Sequence, residues 1–467
     1  CTSSPETLRW LHDSLKTLFG TVHGLGGIFT ITMSENLTSC ASRYRKHECP
    51  RCRDRSIASI VSEVNRTMIA GMMAGDPSAN ALVWNWGWPE DACEEIVRGL
   101  PKGNCRLMAV SERGIEICRG GVKSVESDYS LSIIGPGDQA KRFWRAAKAA
   151  DLPVVAKVQA SASWELGSFP YLPVMDLVAE HAANLSAEGV NGVMLSWSVG
   201  GYPSSNLSVY RDFVRGPDAK NRTLDRIAQA LYGEKAQQAR RAWTAFSEGF
   251  RHYPFDISVL YEGPQHMGVA NPLYAEKTGY AAGMVCYPYD AYRTYCGAYP
   301  PNVYAELIGK VADGFAEGCH LMEGVVPKKE LDLYRAEQMH FASCRDQVLF
   351  YLARDRGDHP VMREILLREL ARAKAYWPLV RADSRIGYES SNQYFLVPRD
   401  VLEKVLVCRL ALEPEVRLPQ SEFNVSEDYP DAPCRTYETT FVRPAWKRVE
   451  LDMGEVHSLA EVSVNGR

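Results

Sequence analysis

The chain has 467 residues, 46% of them hydrophobic and 24% charged, a globular composition too long for one ordinary domain, so two or three are expected. The formal net charge is −4 and no basic stripe appears, which argues against a nucleic-acid partner. No apolar run reaches the roughly 18 residues that a membrane helix needs, and the opening CTSSPETLRW has neither the charged nor the apolar region of a signal peptide.

Residues 5–19 read as a helix with Leu8, Leu11, Leu15 and Leu18 on one face. Strands and helices then alternate. Strand 27–34 is followed by helix 55–74, strand 80–86 by helix 89–99, and strand 105–111 by helix 138–150. Strand 153–161 precedes helix 171–187, and strand 190–197 precedes a long helical stretch from about 219 to 252. The run DISVLYEG at 256–263 offers one further strand. From about 300 to 412 the pattern is helical, interrupted by the polar, aromatic loop DSRIGYESSNQYF. From about 434 short alternating runs suit an antiparallel sandwich.

Apolar strands alternating with helices predict a parallel sheet covered by helices. The expected fold is α/β, a (β/α)8 TIM-type barrel truncated at its N-terminus, whose visible strands are the fourth to the eighth. Residue 1 is not Met and LAEVSVNGR reads as half a hairpin, so the chain is read as a piece of a longer protein. The expected divisions are a partial barrel over 1–298, a helical domain over 299–415 and the start of a β-sandwich over 416–467. An open doubly wound sheet is the competing architecture. Its dinucleotide version lacks support, because GLGG at 24–27 precedes a strand rather than a helix.

Three glutamates close strand-like runs: Glu35, Glu112 and Glu165. In a barrel of this kind the strand ends form one mouth, where chemistry sits. Paired carboxylates there suit glycoside cleavage, one protonating the leaving oxygen and the other attacking the sugar or activating water. Trp86 and Trp88 alternate with Trp84, which predicts one shared strand face. With Trp164, Trp197 and Tyr202 they offer flat surfaces for the C–H faces of a sugar, while Asn36, Asn85, Glu112, Glu389 and Asn392 offer partners for its hydroxyls. Glu389 and Asn392, in the polar loop, are expected to close over the mouth. Cys40, Cys49 and Cys52 have the C-x2-C spacing of a zinc site. The fourth ligand is His47, His23, a distant cysteine or a residue outside this chain.

The order of strand-end glutamates resembles clan A glycoside hydrolases, barrels with the acid/base after strand four and the nucleophile after strand seven. That resemblance implies Glu35 as general acid/base, partly desolvated by apolar neighbours, Glu165 as nucleophile, retention of configuration, and Trp197 as floor of the sugar site. The cysteines after Glu35 are similar to the zinc-binding cluster of family 42 β-galactosidases, although Ser34 stands where those enzymes carry Asn. The closing KRVELDMGEVHSLAEVSVNGR resembles a galactose-binding-like sandwich. The implied partner is an oligosaccharide or glycoside, and the implied cofactor a structural Zn2+. Two further readings stand beside this one: a carbohydrate-binding barrel without catalysis, and a zinc-dependent hydrolase, which would need an open coordination position.

Overall fold

Five apolar runs become strands that lie side by side in the order they occur in the chain. A computed structural model describes residues 1–196, 202–215, 220–281, 289–389 and 393–412. Cys1–Cys408 form one compact unit and Arg409–Arg467 a second. The elements run α1 (Pro5–Thr21), β1 (Gly27–Ile31), α2 (Ile57–Gly75), β2 (Asn80–Trp84), α3 (Cys93–Arg98), β3 (Cys105–Val110), β4 (Glu116–Arg119) and β5 (Val122–Val125). There follow α4 (Asp138–Ala149), β6 (Val154–Val158), α5 (Met175–Ala187), β7 (Gly192–Leu195), α6 (Ser205–Arg215), α7 (Lys220–Tyr232) and α8 (Ala236–Phe250). The remainder is helical apart from one short hairpin: α9 (Ile257–Glu262), α10 (Tyr292–Tyr295), α11 (Pro301–Met322), α12 (Lys328–Arg356), α13 (His359–Ala382), β8 (Tyr388–Glu389), β9 (Gln393–Tyr394) and α14 (Pro398–Leu412).

The main sheet has the order β1-β2-β3-β6-β7, with every neighbouring pair parallel. A doubly wound sheet reverses its strand order at a switch point; this order never reverses. Right-handed crossovers then put the connecting helices on one face, and the sheet curls into half a barrel. Among the described residues β1 and β7 each have one unpaired edge. On the face away from the helices, Phe29 and Trp84 stack at 5.7 Å. Lys157 joins them, its Nζ 5.6 Å from the Trp84 ring. The opposite face meets the helices: Thr30 donates to Asn65 of α2 at 2.8 Å, and Asn65 donates to Thr32 at 3.0 Å.

Local chemistry sets the boundaries. Ser4 caps α1 by accepting from Thr7 N, and Ser56 caps α2 by accepting from Ser59 N. The ladders end one to three residues before the sequence pattern does, so Thr32–Glu35, Asn85–Trp86 and Gln159–Ser161 belong to loops. The run at 256–263 is a helix, not a strand: Asp256 caps it through Ser258 N at 2.9 Å, and only Val259 and Leu260 are buried. The stretch 219–252 breaks at Gly233, where φ is 55°, into α7 and α8. The strand–helix alternation does not anticipate the hairpin β4-β5. No helix among the described residues is long and apolar enough to cross a membrane.

α1 lies unusually close to α2. A Cβ on Gly71 would stand 2.3 Å from His12 O, and one on Gly75 2.5 Å from Lys16 O. This contact brings the start of α1 to the loop that follows β1. Gly71→Val is therefore expected to cost about 1–3 kcal/mol by overpacking, read as a lower urea midpoint. An unchanged midpoint would show that the two helices do not need this approach.

Candidate functional site

The strand-end loops of β1, β2 and β3 converge on a cavity of about 260 Å³, lined by Tyr44, Asn85, Trp86, Trp88, Arg113, Gln139 and Phe143 among others. That is below the roughly 300–1,000 Å³ of drug-sized pockets, and suits one sugar ring better than a chain. Trp86 is its hub. The indole N–H donates to Glu35 Oε1 at 3.0 Å, the ring stacks with Tyr129 at 6.1 Å, and the Arg113 guanidinium lies 4.9 Å from the ring centroid. Trp84 touches the Trp86 ring, with centroids 5.0 Å apart, and Trp88 lines the same cavity, but the three indoles do not share one strand face. The strand ends at Trp84, and the chain then turns at Gly87, whose φ is 76° and whose Cβ would stand 1.9 Å from Met33 O. Trp84 stays on the inner face of the sheet, and Trp88, 5% exposed, packs on Phe143 of α4.

The three glutamates meet three different environments. Glu35 is exposed, so the expected desolvation of its carboxyl is not found: the loop carrying it has left the ladder and faces solvent. Glu165 is fully buried. Its oxygens accept from Ser130 Oγ at 2.8 Å, Ser163 Oγ at 2.7 Å, Leu131 N at 2.5 Å and Ser132 N at 3.2 Å. Glu112 is also fully buried, with Ser130 N 3.4 Å from Oε1, while Oε2 has no partner among the described residues. Burial drives the Glu112 carboxyl up to about 8, against the pull of backbone N–H groups and the Lys157 charge.

Sequence reasoning misses Lys157, although a lysine inside the run PVVAKV is a visible signal. It is fully buried on β6, with Nζ 3.8 Å from the Tyr129 ring, and burial lowers its ammonium to about 8. Asp128 is missed too. Burial raises its carboxyl, and it accepts a hydrogen bond from Tyr261. Gln159, just beyond the end of β6, is 1% exposed, and neither amide atom has a partner among the described residues. No motif marks Asp128, Tyr129 or Tyr261 in the sequence, because a loop fold and a helix far along the chain bring them to the strand ends.

The other predicted residues separate into groups. Asn85 lines the cavity and its backbone N–H donates to Met108 O at 3.0 Å. Asn36 is exposed, and its backbone N–H donates to Ser34 Oγ at 3.2 Å. Trp164 is 7% exposed in a second aromatic group with Tyr261, His266 and Phe395. Glu389 is buried on β8, and its charge reaches His266 of that group. The residue before β8 is tied to the loop that follows β6, since Gly387 N donates to Ser168 O at 2.7 Å. Tyr202 stacks on Tyr171 at 5.7 Å and accepts a hydrogen bond from Arg385. Trp197, Asn392 and the segment 416–467 lie outside the described residues.

Beside Glu35 stands a cluster of four cysteines, Cys1, Cys40, Cys49 and Cys52, whose sulfurs all lie within 4.8 Å of one another. The fourth member is thus Cys1, a distant cysteine in sequence; His47 is exposed, with Nδ1 3.3 Å from Tyr44 O. Cys1 Sγ is 3.5 Å from Cys40 and Cys49 and 3.6 Å from Cys52. These separations are far too long for a disulfide and close to the edge, about 3.8 Å, of a tetrahedron with 2.3 Å Zn–S bonds. The backbone N–H of Arg51, and after it that of Cys52, point at Cys49 and lower its thiol, whereas burial and the neighbouring thiols push Cys40 up to about 11. Arg43, Arg45, Lys46, Arg51, Arg53 and Arg55 surround the cluster in sequence and offset the charge of four thiolates. The donor set fits a metal ion such as zinc. Four thiolates close the coordination sphere, the pattern of a structural rather than a catalytic site.

No protein-family model matches the chain, and no curated protein does. Five chains of solved structures match. One of them is described as a GH138 enzyme targeting pectin rhamnogalacturonan II, with a TM-score of 0.51 and 11% sequence identity over 88% of this chain. The chain spans 65% of the length of that protein. The likeness is one of fold.

The Glu112 carboxyl gives a measurable pH dependence. Its value in the folded chain, about 8, lies above the ordinary 4.5. Its contribution to stability is therefore complete below the ordinary value and is lost as pH rises through the folded one. Glu112→Gln removes that loss, so the stability of the variant relative to the parent should rise between about pH 5 and about pH 8, measured by urea unfolding at both. A difference that does not change with pH would place the Glu112 carboxyl in a solvated environment.

Proposed function

We propose that the chain carries the site of a glycoside hydrolase, with Glu35 as general acid/base. The Glu35–Trp86 contact supports this most directly: an exposed strand-end carboxylate, held by an indole at 3.0 Å, borders an aromatic cavity of one-ring size. An acid/base group must exchange protons with solvent between steps, and Glu35 is the strand-end glutamate that meets water. The unpartnered amide of Gln159 and the free Oε2 of Glu112 are buried polar atoms of the kind that sugar hydroxyls satisfy.

In this reading Glu165 is the nucleophile and the outcome is retention. Attack on an anomeric carbon requires one donor to leave its oxygens. The Ser130 and Ser163 hydroxyls can rotate away, whereas the Leu131 and Ser132 amides are fixed by the backbone. Glu112 is the alternative partner, with inversion. The five strands are taken as five of the eight in a TIM-type barrel, and the residues divide into barrel (1–298), helical domain (299–415) and galactose-binding-like sandwich (416–467). The likeness to family 42 β-galactosidases enters as an analogy for the cysteine cluster, which holds a structural Zn2+ through Cys1, Cys40, Cys49 and Cys52. The substrate is a carbohydrate, and rhamnogalacturonan II fragments are the first to try because the matched fold belongs to an enzyme that targets that pectin.

A second reading, a carbohydrate-binding barrel without catalysis, is favoured by the burial of both Glu112 and Glu165. Turnover decides between them. Released sugar and its anomeric form, followed by NMR on rhamnogalacturonan II oligosaccharides, should show Glu35→Gln slowed by about 10²–10⁴-fold. Glu165→Gln should be slowed at least as much. Loss in Glu112→Gln with near-normal Glu165→Gln moves the second role to Glu112. Sugar binding with no turnover in the parent leaves the binding reading. For the metal, purified protein should contain about one Zn2+ per chain by mass spectrometry, and Cys52→Ser should lose it; full loading of that variant would remove Cys52 from the site.

A further inference from the structure

The outer wall of the cavity comes from a loop that no strand supports. Between Glu35 and the start of α2 the chain forms only two short 3-10 turns, Ser42–Tyr44 and Lys46–Glu48. Arg43, Tyr44, Arg45, His47 and Glu48 are exposed, so the segment has little apolar anchorage of its own. Yet Arg43 and Tyr44, neither of them glycine, both adopt left-handed backbone, at φ 54° and 57°. Two consecutive residues stay in that region only where their surroundings over-determine them, and such positions mark functional geometry. The result is a directed side chain: Tyr44 reaches over the cavity, its hydroxyl 3.5 Å from Gly87 O, beside Trp86 and Trp88.

The four-cysteine cluster is what closes the base of this loop. Cys40 lies just before the strained pair, Cys49 and Cys52 just after it, and Cys1 stands four residues ahead of α1. Other ties in the loop include buried bonds from Ser39 N to Ser42 Oγ and from Ala41 N to Ser39 Oγ, both at 3.2 Å, while the Arg45–Glu48 ion pair and a bond from Lys46 Nζ to Arg53 O at 2.7 Å sit at exposed positions, where such contacts stabilise little.

We propose that Tyr44 is a specificity-determining wall of the cavity, set in place by a metal ion bound to Cys1, Cys40, Cys49 and Cys52. The proposal rests on the carbohydrate reading of the cavity, and extends it from the reacting carboxylates to what selects the sugar. One ion joining four thiolates fixes both arms of the loop and thereby the left-handed pair. Without it the arms separate, Tyr44 leaves Gly87, and the Trp86 side of the cavity opens to solvent. The aromatic ring of Tyr44 is the selecting element, because it lines the cavity together with Trp86 and Trp88.

Two measurements on the full chain test the proposal. The first is trypsin cleavage after Arg43, Arg45 and Lys46, read by mass spectrometry in zinc-loaded protein, after chelation with phenanthroline, and after Zn2+ is restored. Cleavage at these three sites should accelerate by about tenfold or more on chelation and return to its starting rate with zinc, alongside greater acrylamide quenching of tryptophan. Equal cleavage with and without metal overturns the clamp, and the result does not depend on any sugar. The second is tryptophan fluorescence titrated with rhamnogalacturonan II oligosaccharides in the parent, Tyr44→Phe and Tyr44→Ala. Tyr44→Phe should bind like the parent and Tyr44→Ala about tenfold more weakly, with its ranking of oligosaccharides changed. A parent response that Tyr44→Ala leaves unaltered overturns the role of Tyr44 alone. No response in the parent overturns both that role and the carbohydrate reading.

Discussion

The strand-end architecture depends on one buried carboxylate and the loop that wraps it. Glu165 sits in the protein interior, where an uncompensated charge would cost several kcal/mol. Four residues compensate it, and three of them are consecutive: Ser130, Leu131 and Ser132. Hydrogen bonds to a charged group contribute about 1.5–3 kcal/mol each, so the loop conformation and the charge require each other. From that fixed point the placement propagates. Tyr129, next to the captured residues, stacks on Trp86, and Trp86 holds Glu35. Asp128, one residue earlier, receives the Tyr261 hydroxyl and so ties in α9.

Around this anchor the charges are arranged by burial. Glu112, Asp128 and Lys157 lie together beneath the strand ends, and burial moves each of them toward its neutral form. The aromatic rings of Trp84 and Tyr129 face the ammonium and offer it partial compensation through their quadrupoles. Outside this layer Glu35 stands in solvent. The arrangement thus grades from a neutralised interior to a hydrated carboxylate across the width of one indole, Trp86.

Much of this is legible in the sequence where the signal is periodic. Apolar runs of four to six residues mark all five parallel strands, and their alternation with helices predicts a parallel sheet, while the order that never reverses is visible only in the structure. Three strand-end glutamates and the C-x2-C pair can be read for the same reason, since their meaning lies within a few residues of sequence. What cannot be read is what distant segments bring. Cys1 joins Cys52 only because α1 packs against α2 at Gly71 and Gly75. Tyr261 meets Asp128 across more than a hundred residues. Burial is also misjudged, because a strand-end position does not say whether the following loop folds over it, as above Glu165, or away from it, as at Glu35. DISVLYEG misleads because two adjacent buried residues fit either period, and the Asp256 cap decides for a helix.

Two segments that lack secondary structure of their own meet Trp86 or the cavity it lines, and each is fixed by a compact polar or thiolate knot. On one side residues 128–132 close around Glu165; on the other, residues 36–55 close around four sulfurs. The knots differ in what they need. A carboxylate with its hydrogen-bond donors is complete within the chain. Four thiols at 3.5–3.6 Å from one member are not, because their full pairing requires a cation. The Glu165 knot is therefore complete through folding alone, while the loop that carries Tyr44 holds a donor set that fits a metal ion.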